Sequence, residues 1–171
     1  MYKRQLPFFL SDGAKDKTNL LGGEDEGVEA ILATAIGTAP FNPGQGSFFD
    51  SLRSEYDIDA SQFGFVAHAY DAAYIAAYGL AHASREGGHL DGQQVAEGFS
   101  HLSAGEAVAI GPSTFSRVVD ALITADQTVN IAGESGPLDF DSRTGDAPGP
   151  IEVWRVEDGE FVTVGEPQIP E

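Results

Sequence analysis

Residues 63–84, FGFVAHAYDAAYIAAYGLAHAS, form the longest helical pattern in the chain and are almost all apolar or small. Asp71 is the only acid within this run, and it falls at the margin of the apolar stripe together with His82. Residues at helical spacing predict a buried stripe made of Phe65, Ala69, Tyr70, Ala73, Tyr74, Ala77 and Leu80. The many alanines allow close approach of neighbouring elements, so we expect a helix inside an α/β layer. Its charge and histidines argue against a membrane span, which needs about 20 apolar residues.

Shorter patterns on both sides of this run alternate between strand and helix. One strand pattern occurs at residues 6–10, and a second ends at Gly37-Thr38. Further strand patterns occur at residues 106–110, 129–131, 151–156 and 161–164. Helical patterns occur at residues 48–56, 91–102 and 112–122, and the second begins with Asp91 and Gln94 at capping-box spacing, which predicts an N-cap at Asp91. The two last strands flank Asp158-Gly159, which is a hairpin signature. Alternation of the two element types predicts an α/β fold.

The charge balance limits the class of partner. The chain has 9 Lys and Arg against 27 Asp and Glu, a formal net charge of −18. Such a surface repels nucleic acid, so we expect no nucleic-acid partner. The absence of cysteine excludes disulfides, thiolate metal sites and cysteine nucleophiles. The apolar run at residues 6–10 is too short for a secretory signal, and we expect any export signal to lie upstream.

Asp12 is the first candidate binding residue. It stands in Ser11-Asp12-Gly13, directly after the predicted strand at residues 6–10. Ligands of open α/β sheets bind outside the carboxyl ends of strands, which favours a binding role. An Asx-type turn before Gly13 explains the same acid equally well. Both interpretations remain open at this point.

Several catalytic and metal signatures fail on inspection. Residues 139–146 superficially resemble a calcium loop, but Arg143 occupies a ligand position and Thr144 the position that needs glycine, which favours a plain turn. Ser135 does not lie in a hydrolase elbow, because Pro137 replaces the last glycine. A hydrolase using Ser135 would lose esterase activity in Ser135→Ala. No phosphate-binding loop with its lysine occurs, so nucleotide hydrolysis has no support. From these failed signatures together we expect no catalysis, no metal and no cofactor.

A set of short motifs, in order along nearly the whole chain, carries a family resemblance. They are FLSDG at residues 9–13, GTAP at 37–40, AYDA at 69–72, GP at 111–112, NIAGESGPLDFD at 130–141, TGD at 144–146, PIEVW at 150–154 and DG at 158–159. Together they resemble the C-terminal half of the type I solute-binding proteins, the leucine/isoleucine/valine-binding class that serves ABC importers. Glu134 departs from the small residue usual there, and we interpret it as harmless on an exposed loop.

The resemblance implies a type I periplasmic-binding-protein fold, in which two doubly wound, Rossmann-like α/β lobes close over a ligand by a hinge. This chain would be part of that fold. Residues 1–42 would belong to the second lobe, residues 43–148 would form the C-terminal part of the first lobe, and residues 149–171 would return to the second lobe as a hairpin. Proline and glycine at residues 39–46 suit such a crossover. The first lobe's leading strands would be missing, so we expect the long helix to keep part of its apolar face bare.

The resemblance also implies a function. The protein would be a non-enzymatic periplasmic or membrane-anchored binding protein that delivers an amino acid or related small polar ligand to the permease of an ABC importer. Asp12 occupies the position of an acid that receives the ligand's ammonium group. Tyr70 is a second candidate at the cleft, although packing as a core aromatic explains it better. The alternative function is a ligand-sensing domain of a receptor or regulator on the same fold.

Overall fold

The computed structural model describes residues 8–22, 31–42, 46–60, 63–85, 87–124 and 127–169. In chain order the elements are β1 (Phe9–Leu10), β2 (Ile36–Pro40), α1 (Ser47–Tyr56), α2 (Val66–Ala83), α3 (Gly92–Phe99), β3 (Ala107–Ala109), α4 (Pro112–Thr124), β4 (Asn130–Ala132), β5 (Ile151–Glu157) and β6 (Glu160–Thr163). Short helical turns lie at Asp12–Ala14, Lys17–Leu21 and Ser100–Leu102. The chain is therefore a mixed α/β protein, as the alternating patterns predict.

The chain divides into two compact units. The sheet unit comprises Met1–Gly64 with Pro150–Glu171, and the helical unit comprises Phe65–Gly149. The return to the sheet unit begins one residue after the predicted start of the last lobe segment. The first change of unit lies at Gly64 and not at residue 42, and the Asn42 side chain donates to the Phe63 carbonyl at 2.7 Å. Residues 43–45 of the predicted crossover lie outside the described residues, and the lobe assignment stays a prediction.

The sheet unit contains a four-stranded sheet in the order β1-β2-β5-β6. β1 runs parallel to β2, and the other neighbours are antiparallel. The predicted hairpin is confirmed: Asp158 and Gly159 have φ values of 51° and 74°, the two left-handed residues that a tight type I′ turn requires. β5 pairs with β2, so the hairpin belongs to the same sheet as β1. Of the predicted first strand, residues 6 and 7 lie outside the described residues.

Trp154 on β5 forms the centre of the sheet unit and is fully buried. Its indole ring lies over Gly37 on the neighbouring strand. A Cβ at that glycine would lie 2.1 Å from the Trp154 Cζ2 atom, so only glycine fits under the ring. Phe161 meets the same indole edge to face, with ring centroids 5.0 Å apart. These contacts fix the register of β2, β5 and β6.

Glu152 is a buried charge in the sheet unit, with a relative exposure of 2%. The Lys15 ammonium group forms an ion pair with its Oε1 atom. The Thr163 hydroxyl donates to its Oε2 atom at 2.6 Å. The pair ties the segment after β1 to the middle of the sheet, and the hydroxyl satisfies the second carboxylate oxygen.

The helical unit packs α2 against α3 and α4 and contains the parallel pair β3-β4. Its buried core consists of Tyr78, Leu102, Val108, Ile110, Val118, Leu122, Val129, Ile131 and Leu138. Asp91 accepts from the Gln94 N–H at 2.9 Å, which confirms the predicted N-cap of α3. α2 and α3 approach closely because Gly79 and Gly98 face each other, and a Cβ at Gly98 would lie 3.0 Å from the Gly79 Cα atom.

α2 confirms the predicted long helix but not the predicted buried face. Asp71 and His82, expected at the margins of the stripe, are each only 1% exposed. Leu80, expected inside the stripe, is 51% exposed, and Ala69 and Ala73 are also exposed. A helix that is apolar nearly all round has no single preferred face, so its neighbours decide which side is buried. Here the neighbours include hydrogen-bond donors that accommodate Asp71.

Candidate functional site

The buried Asp71 carboxylate on α2 is the polar centre of the helical unit. Its Oδ1 atom accepts from the Glu134 N–H at 2.9 Å. Its Oδ2 atom accepts from the Ser135 N–H at 2.8 Å and from the Ser135 hydroxyl at 2.6 Å. Three donors around one carboxylate are enough to stabilise a buried negative charge without a cation. Asp71 therefore fixes the loop that follows β4.

Gly133 allows the loop after β4 to approach α2 closely enough for these hydrogen bonds to Asp71. A Cβ at position 133 would lie 2.3 Å from the Asp71 Oδ2 atom and 2.8 Å from the Leu138 side chain. Real Cβ atoms do not approach neighbours at such distances, and the position requires glycine. The helix and the loop are therefore complementary. The helix supplies the buried acid, and the loop supplies backbone donors, with no side chain at Gly133 to prevent the contact.

The loop lies at the carboxyl edge of the parallel strands. Gly111 follows β3 and Gly133 follows β4, and parallel strands place such turns at one edge of a sheet. The Tyr70 hydroxyl reaches this edge, because it lies 4.0 Å from the position of a Cβ on Gly111. This edge is where open α/β sheets bind their ligands.

Tyr70 and Tyr74 form the wall beside the loop. Their hydroxyl oxygens are 3.4 Å apart and their ring centroids 4.9 Å apart. Burial, followed by the hydrogen bond and charge interaction with Tyr74, raises the pKa of Tyr70 well above its ordinary value, and Glu134 and Asp71 contribute further. Tyr70 is therefore a neutral hydroxyl at neutral pH. The structure places this candidate partly buried at the strand edge.

Glu134 corrects an interpretation made from the sequence. The residue is not on an exposed loop: it is partly buried, and its backbone is held by Asp71. Burial, and next the negative charge of Asp71, raise the pKa of the Glu134 carboxyl. Among the described residues, no Lys, Arg or His forms an ion pair with it. A partly buried acid of this kind, next to a second acid, is typical of functional sites.

A shallow apolar groove adjoins the two tyrosines. It has a volume of about 380 Å³ and is lined by Ala73, Tyr74, Ala77, Pro112 and Phe115. Tyr74 meets Phe115 edge to face at 5.8 Å between centroids, so the groove has aromatic walls. It lies between α2 and the first turn of α4, on the face of α2 that carries exposed alanines.

Asp12 lies in the sheet unit, in the exposed turn directly after β1. Its Oδ1 atom accepts from the N–H of the next residue, Gly13, at 2.9 Å. This is a local contact of a turn acid, but it differs from an Asx turn, in which the donor is the N–H two residues on. Its exposed position at the carboxyl end of a parallel strand is also compatible with ligand binding. The geometry therefore leaves both interpretations of Asp12 open.

Ser135 and residues 139–146 have structural contacts. The Ser135 hydroxyl donates to Asp71, as described above. In the second segment Asp141 Oδ1 accepts from the Arg143 N–H at 2.7 Å, and Arg143 lies 3.7 Å from the other carboxylate oxygen. That turn is closed by its own side chains. Within the part of the chain that the structure describes, no group of three or more acids or histidines is arranged to hold a metal ion.

The sequence contained one signal for this site. Asp71 is the single charge inside an apolar helix, and a buried acid needs donors from elsewhere in the fold. The identity of those donors had no sequence signal, because two of the three are backbone N–H groups. Glu134 was missed for the same reason, since its burial follows from the loop position that Asp71 imposes.

Among the described helices, none has both the length and the apolar character needed to cross a membrane. Comparison with models of known protein families gives no match, and no curated protein matches the chain.

Proposed function

We propose that this chain is the C-terminal half of an extracytoplasmic solute-binding protein with the type I periplasmic-binding fold, of the leucine/isoleucine/valine-binding class. It would hold an amino acid or a related small polar ligand between two lobes and deliver it to the permease of an ABC importer. The mixed α/β architecture is compatible with this class, and the family assignment rests on the sequence resemblance.

The observation that carries the proposal is the convergence of separate motifs on one carboxylate. The AYDA motif supplies Asp71, and NIAGESGPLDFD supplies its donors at Glu134 and Ser135. The GP motif at residues 111–112 lies next to Tyr70 of the first motif. Motifs that are distant in sequence but jointly shape one strand edge are expected if the resemblance reflects a common fold.

The exposed face of α2 supports the assignment to half of a longer fold. Ala69, Ala72, Ala73, Ala76 and Leu80 are exposed along this helix. The resemblance implies that further strands of the same lobe cover such a face. Without such strands the apolar face is exposed to water, which costs about 25 cal/mol of free energy for each Å² of apolar surface.

Asp12 is the proposed contact for the ligand's ammonium group. A carboxylate at a strand end can accept a charge-assisted hydrogen bond from an ammonium, and losing one partner of such a contact costs about 2 to 5 kcal/mol. The hydrogen bond from the Gly13 N–H would orient the carboxylate and leave its second oxygen for the ligand.

The test uses the full-length protein. A thermal-shift screen against small solutes identifies the ligand, since a ligand at 100 times its Kd stabilises by about 2.7 kcal/mol. In Asp12→Asn, calorimetry should then show an affinity about 30-fold lower, as expected for a loss of about 2 kcal/mol. Asp57→Asn, which changes an exposed acid after α1, is the matched control and should bind normally.

Two results would contradict the proposal. If no amino acid or related solute stabilises the full-length protein, solute binding is the wrong function. If Asp12→Asn binds the ligand as tightly as the unmodified protein while the fold is intact by circular dichroism, Asp12 is only a turn residue.

A further inference from the structure

An aspartate followed by a glycine occurs at three places in the chain: Asp12-Gly13, Asp91-Gly92 and Asp158-Gly159. Glycine has no Cβ to shield its main-chain nitrogen, so this nitrogen can reach the carboxyl group of the residue before it. Attack on the carboxyl carbon closes a five-membered ring. All three pairs are exposed and have the same covalent structure, so conformation decides which of them reacts fastest.

The turn after β1 holds the two reacting groups of Asp12-Gly13 in contact. The Asp12 Oδ1 atom accepts from the Gly13 N–H at 2.9 Å, and the carboxyl carbon is bonded to that oxygen. The next two N–H groups, those of Ala14 and Lys15, donate to main-chain carbonyls instead. Groups that are held together react faster than groups that must first meet. The conformation of this turn therefore favours ring closure.

The surroundings of Gly13 leave room for the ring. A Cβ built on Gly13 would have no other atom within 4 Å. The helical turn that contains it, Asp12–Ala14, has no buried residue. Ring closure at Asp12 therefore displaces no side chain of the core.

The other two pairs are held in different ways. Asp91 is the N-cap of α3, and its Oδ1 atom accepts from the Gln94 N–H at 2.9 Å, so the cap contact competes with approach to the Gly92 nitrogen. Asp158 and Gly159 are fixed in the hairpin turn by the paired strands on both sides. All three pairs lie within the described residues, and among them only Asp12 accepts a hydrogen bond from the N–H of its own glycine.

We propose that Asp12-Gly13 is a modification site, at which Asp12 converts spontaneously to isoaspartate. The Gly13 nitrogen bonds to the carbon of the protonated Asp12 carboxyl group, and the hydrogen of the nitrogen leaves with the carboxyl hydroxyl as water. Water then adds to one of the two ring carbonyl carbons, and the bond from that carbon to the nitrogen breaks. Breakage at the original main-chain carbonyl gives isoaspartate, and breakage at the other carbonyl regenerates Asp12.

The modification changes the position of the Asp12 carboxylate. In isoaspartate the main chain runs through the former side-chain carbonyl, and the free carboxylate is attached directly to the Cα atom. A contact that depends on the position of the original carboxylate is therefore lost. The effect on the ligand's ammonium group rests on the proposed function, whereas the reaction itself does not.

The experiment incubates this chain of 171 residues at neutral pH and measures isoaspartate at each pair over time. Mass spectrometry of digested samples locates the isoaspartate, and an isoaspartate-specific methyltransferase quantifies it independently. Asp12 should convert about tenfold faster than Asp91, and also faster than Asp158. In urea that unfolds the chain, the three rates should approach one another, because the conformations that distinguish the pairs are lost.

Gly13→Ala adds a methyl group next to the attacking nitrogen, at an exposed position with space for it. Conversion of Asp12 should slow about tenfold, because the methyl group hinders ring closure. Conversion of Asp91 and Asp158 should not change. The matched control is Gly64→Ala, an exposed glycine of the same unit that also has space for a Cβ but does not follow an aspartate. It should leave the conversion of Asp12 unchanged.

The proposal is wrong if Asp91 or Asp158 converts as fast as Asp12 in the folded chain, or if Gly13→Ala does not slow the conversion of Asp12. The full-length protein then tests the consequence for binding. Its isoaspartate form should bind the ligand about 30-fold more weakly than the unconverted form, as expected for Asp12→Asn. During the same incubation, Gly13→Ala should lose less of its own initial affinity.

These outcomes are separable from those for the proposed function. Isoaspartate at Asp12 without any change in ligand affinity would retain the modification site and reject Asp12 as the ligand contact. Ligand binding that depends on Asp12, in a protein whose Asp12 converts no faster than Asp91, would retain the function and reject the modification site.

Discussion

Among the residues that the structure describes, each unit buries one carboxylate, and the two units stabilise it in different ways. In the helical unit Asp71 accepts only neutral donors, two backbone N–H groups and one hydroxyl. In the sheet unit Glu152 pairs with the Lys15 ammonium group and accepts from one hydroxyl. Asp71 and Glu152 are only 1% and 2% exposed, so neither is stabilised by water.

The difference in donors indicates that the two carboxylates have different structural roles. Backbone N–H groups of consecutive residues can converge on a carboxylate only if the loop adopts one conformation, so Asp71 determines the shape of the loop at the strand edge. An ion pair has looser geometric requirements, and Lys15 is on a long, flexible side chain. Glu152 therefore joins two distant segments of the chain without determining the conformation of either one in detail.

The largest expected effect is for Asp71→Asn. The amide would direct its NH₂ group toward donors, so buried N–H groups would lose their acceptor, and hydrogen bonds to a charged group contribute about 1.5 to 3 kcal/mol each. We expect the free energy of unfolding, measured in urea, to fall by about 3 kcal/mol. Hydrogen exchange of the Glu134 and Ser135 amides should accelerate.

Asp120→Asn is the matched control for that prediction, because it changes an exposed acid on α4 of the same unit. It should change the unfolding free energy by less than about 0.5 kcal/mol. If Asp71→Asn is as mild as this control, the loop does not depend on the carboxylate and the proposed contrast between the units fails.

A smaller loss is expected for Lys15→Met in the sheet unit. The substitution leaves Glu152 buried without its cation, but the Lys15 side chain is 22% exposed and water replaces part of the contact. We expect a loss of about 1 to 2 kcal/mol. Adding Glu152→Gln to the Lys15→Met variant should recover part of it, because the uncompensated charge is removed.

Lys17→Met provides the comparison for the ion pair. Lys17 pairs with Glu160 at 2.5 Å, but both side chains are largely exposed, at 47% and 61%. Exposed pairs contribute little, so the loss should remain below about 0.5 kcal/mol. Equal losses in Lys15→Met and Lys17→Met would mean that the burial of Glu152 has no energetic consequence.

The smallest expected effect is a gain of stability in Glu134→Gln. The pKa of Glu134 is raised, so the folded state favours the protonated form. The protonated carboxyl therefore contributes to the stability of the fold below the usual pKa of 4.5. This contribution is lost as the pH rises through the pKa of Glu134 in the folded state. At pH 7 the ionised carboxylate therefore destabilises the fold, and Glu134→Gln should raise the Tm.

The gain should be below about 1 kcal/mol, which is about 2 to 4 °C in Tm at this chain length. It should disappear when the pH falls below 4.5. Glu106→Gln, which changes an exposed carboxylate, is the matched control and should leave the Tm at pH 7 unchanged. If Glu134→Gln destabilises the chain at pH 7, the Glu134 carboxylate stabilises the fold through a contact other than those described above.

The sequence by itself determined the elements of this protein. Local signals were sufficient for the hairpin around Asp158-Gly159, for the cap of α3 at Asp91 and for the existence of α2, because turn geometry, capping and helical periodicity act over a few residues. The candidate at Asp12 was also accessible from sequence, since a strand followed by an acidic turn is a local pattern.

Only the tertiary structure decided which face of α2 is buried and what surrounds Asp71. Apolar residues occur nearly all round that helix, so periodicity does not distinguish Leu80, which is exposed, from Ala81, which is buried. The donors to Asp71 are backbone groups 63 and 64 residues away, and every residue type offers such groups. The position of Glu134 then follows from those contacts, because burial is a property of the assembled fold and not of the residue.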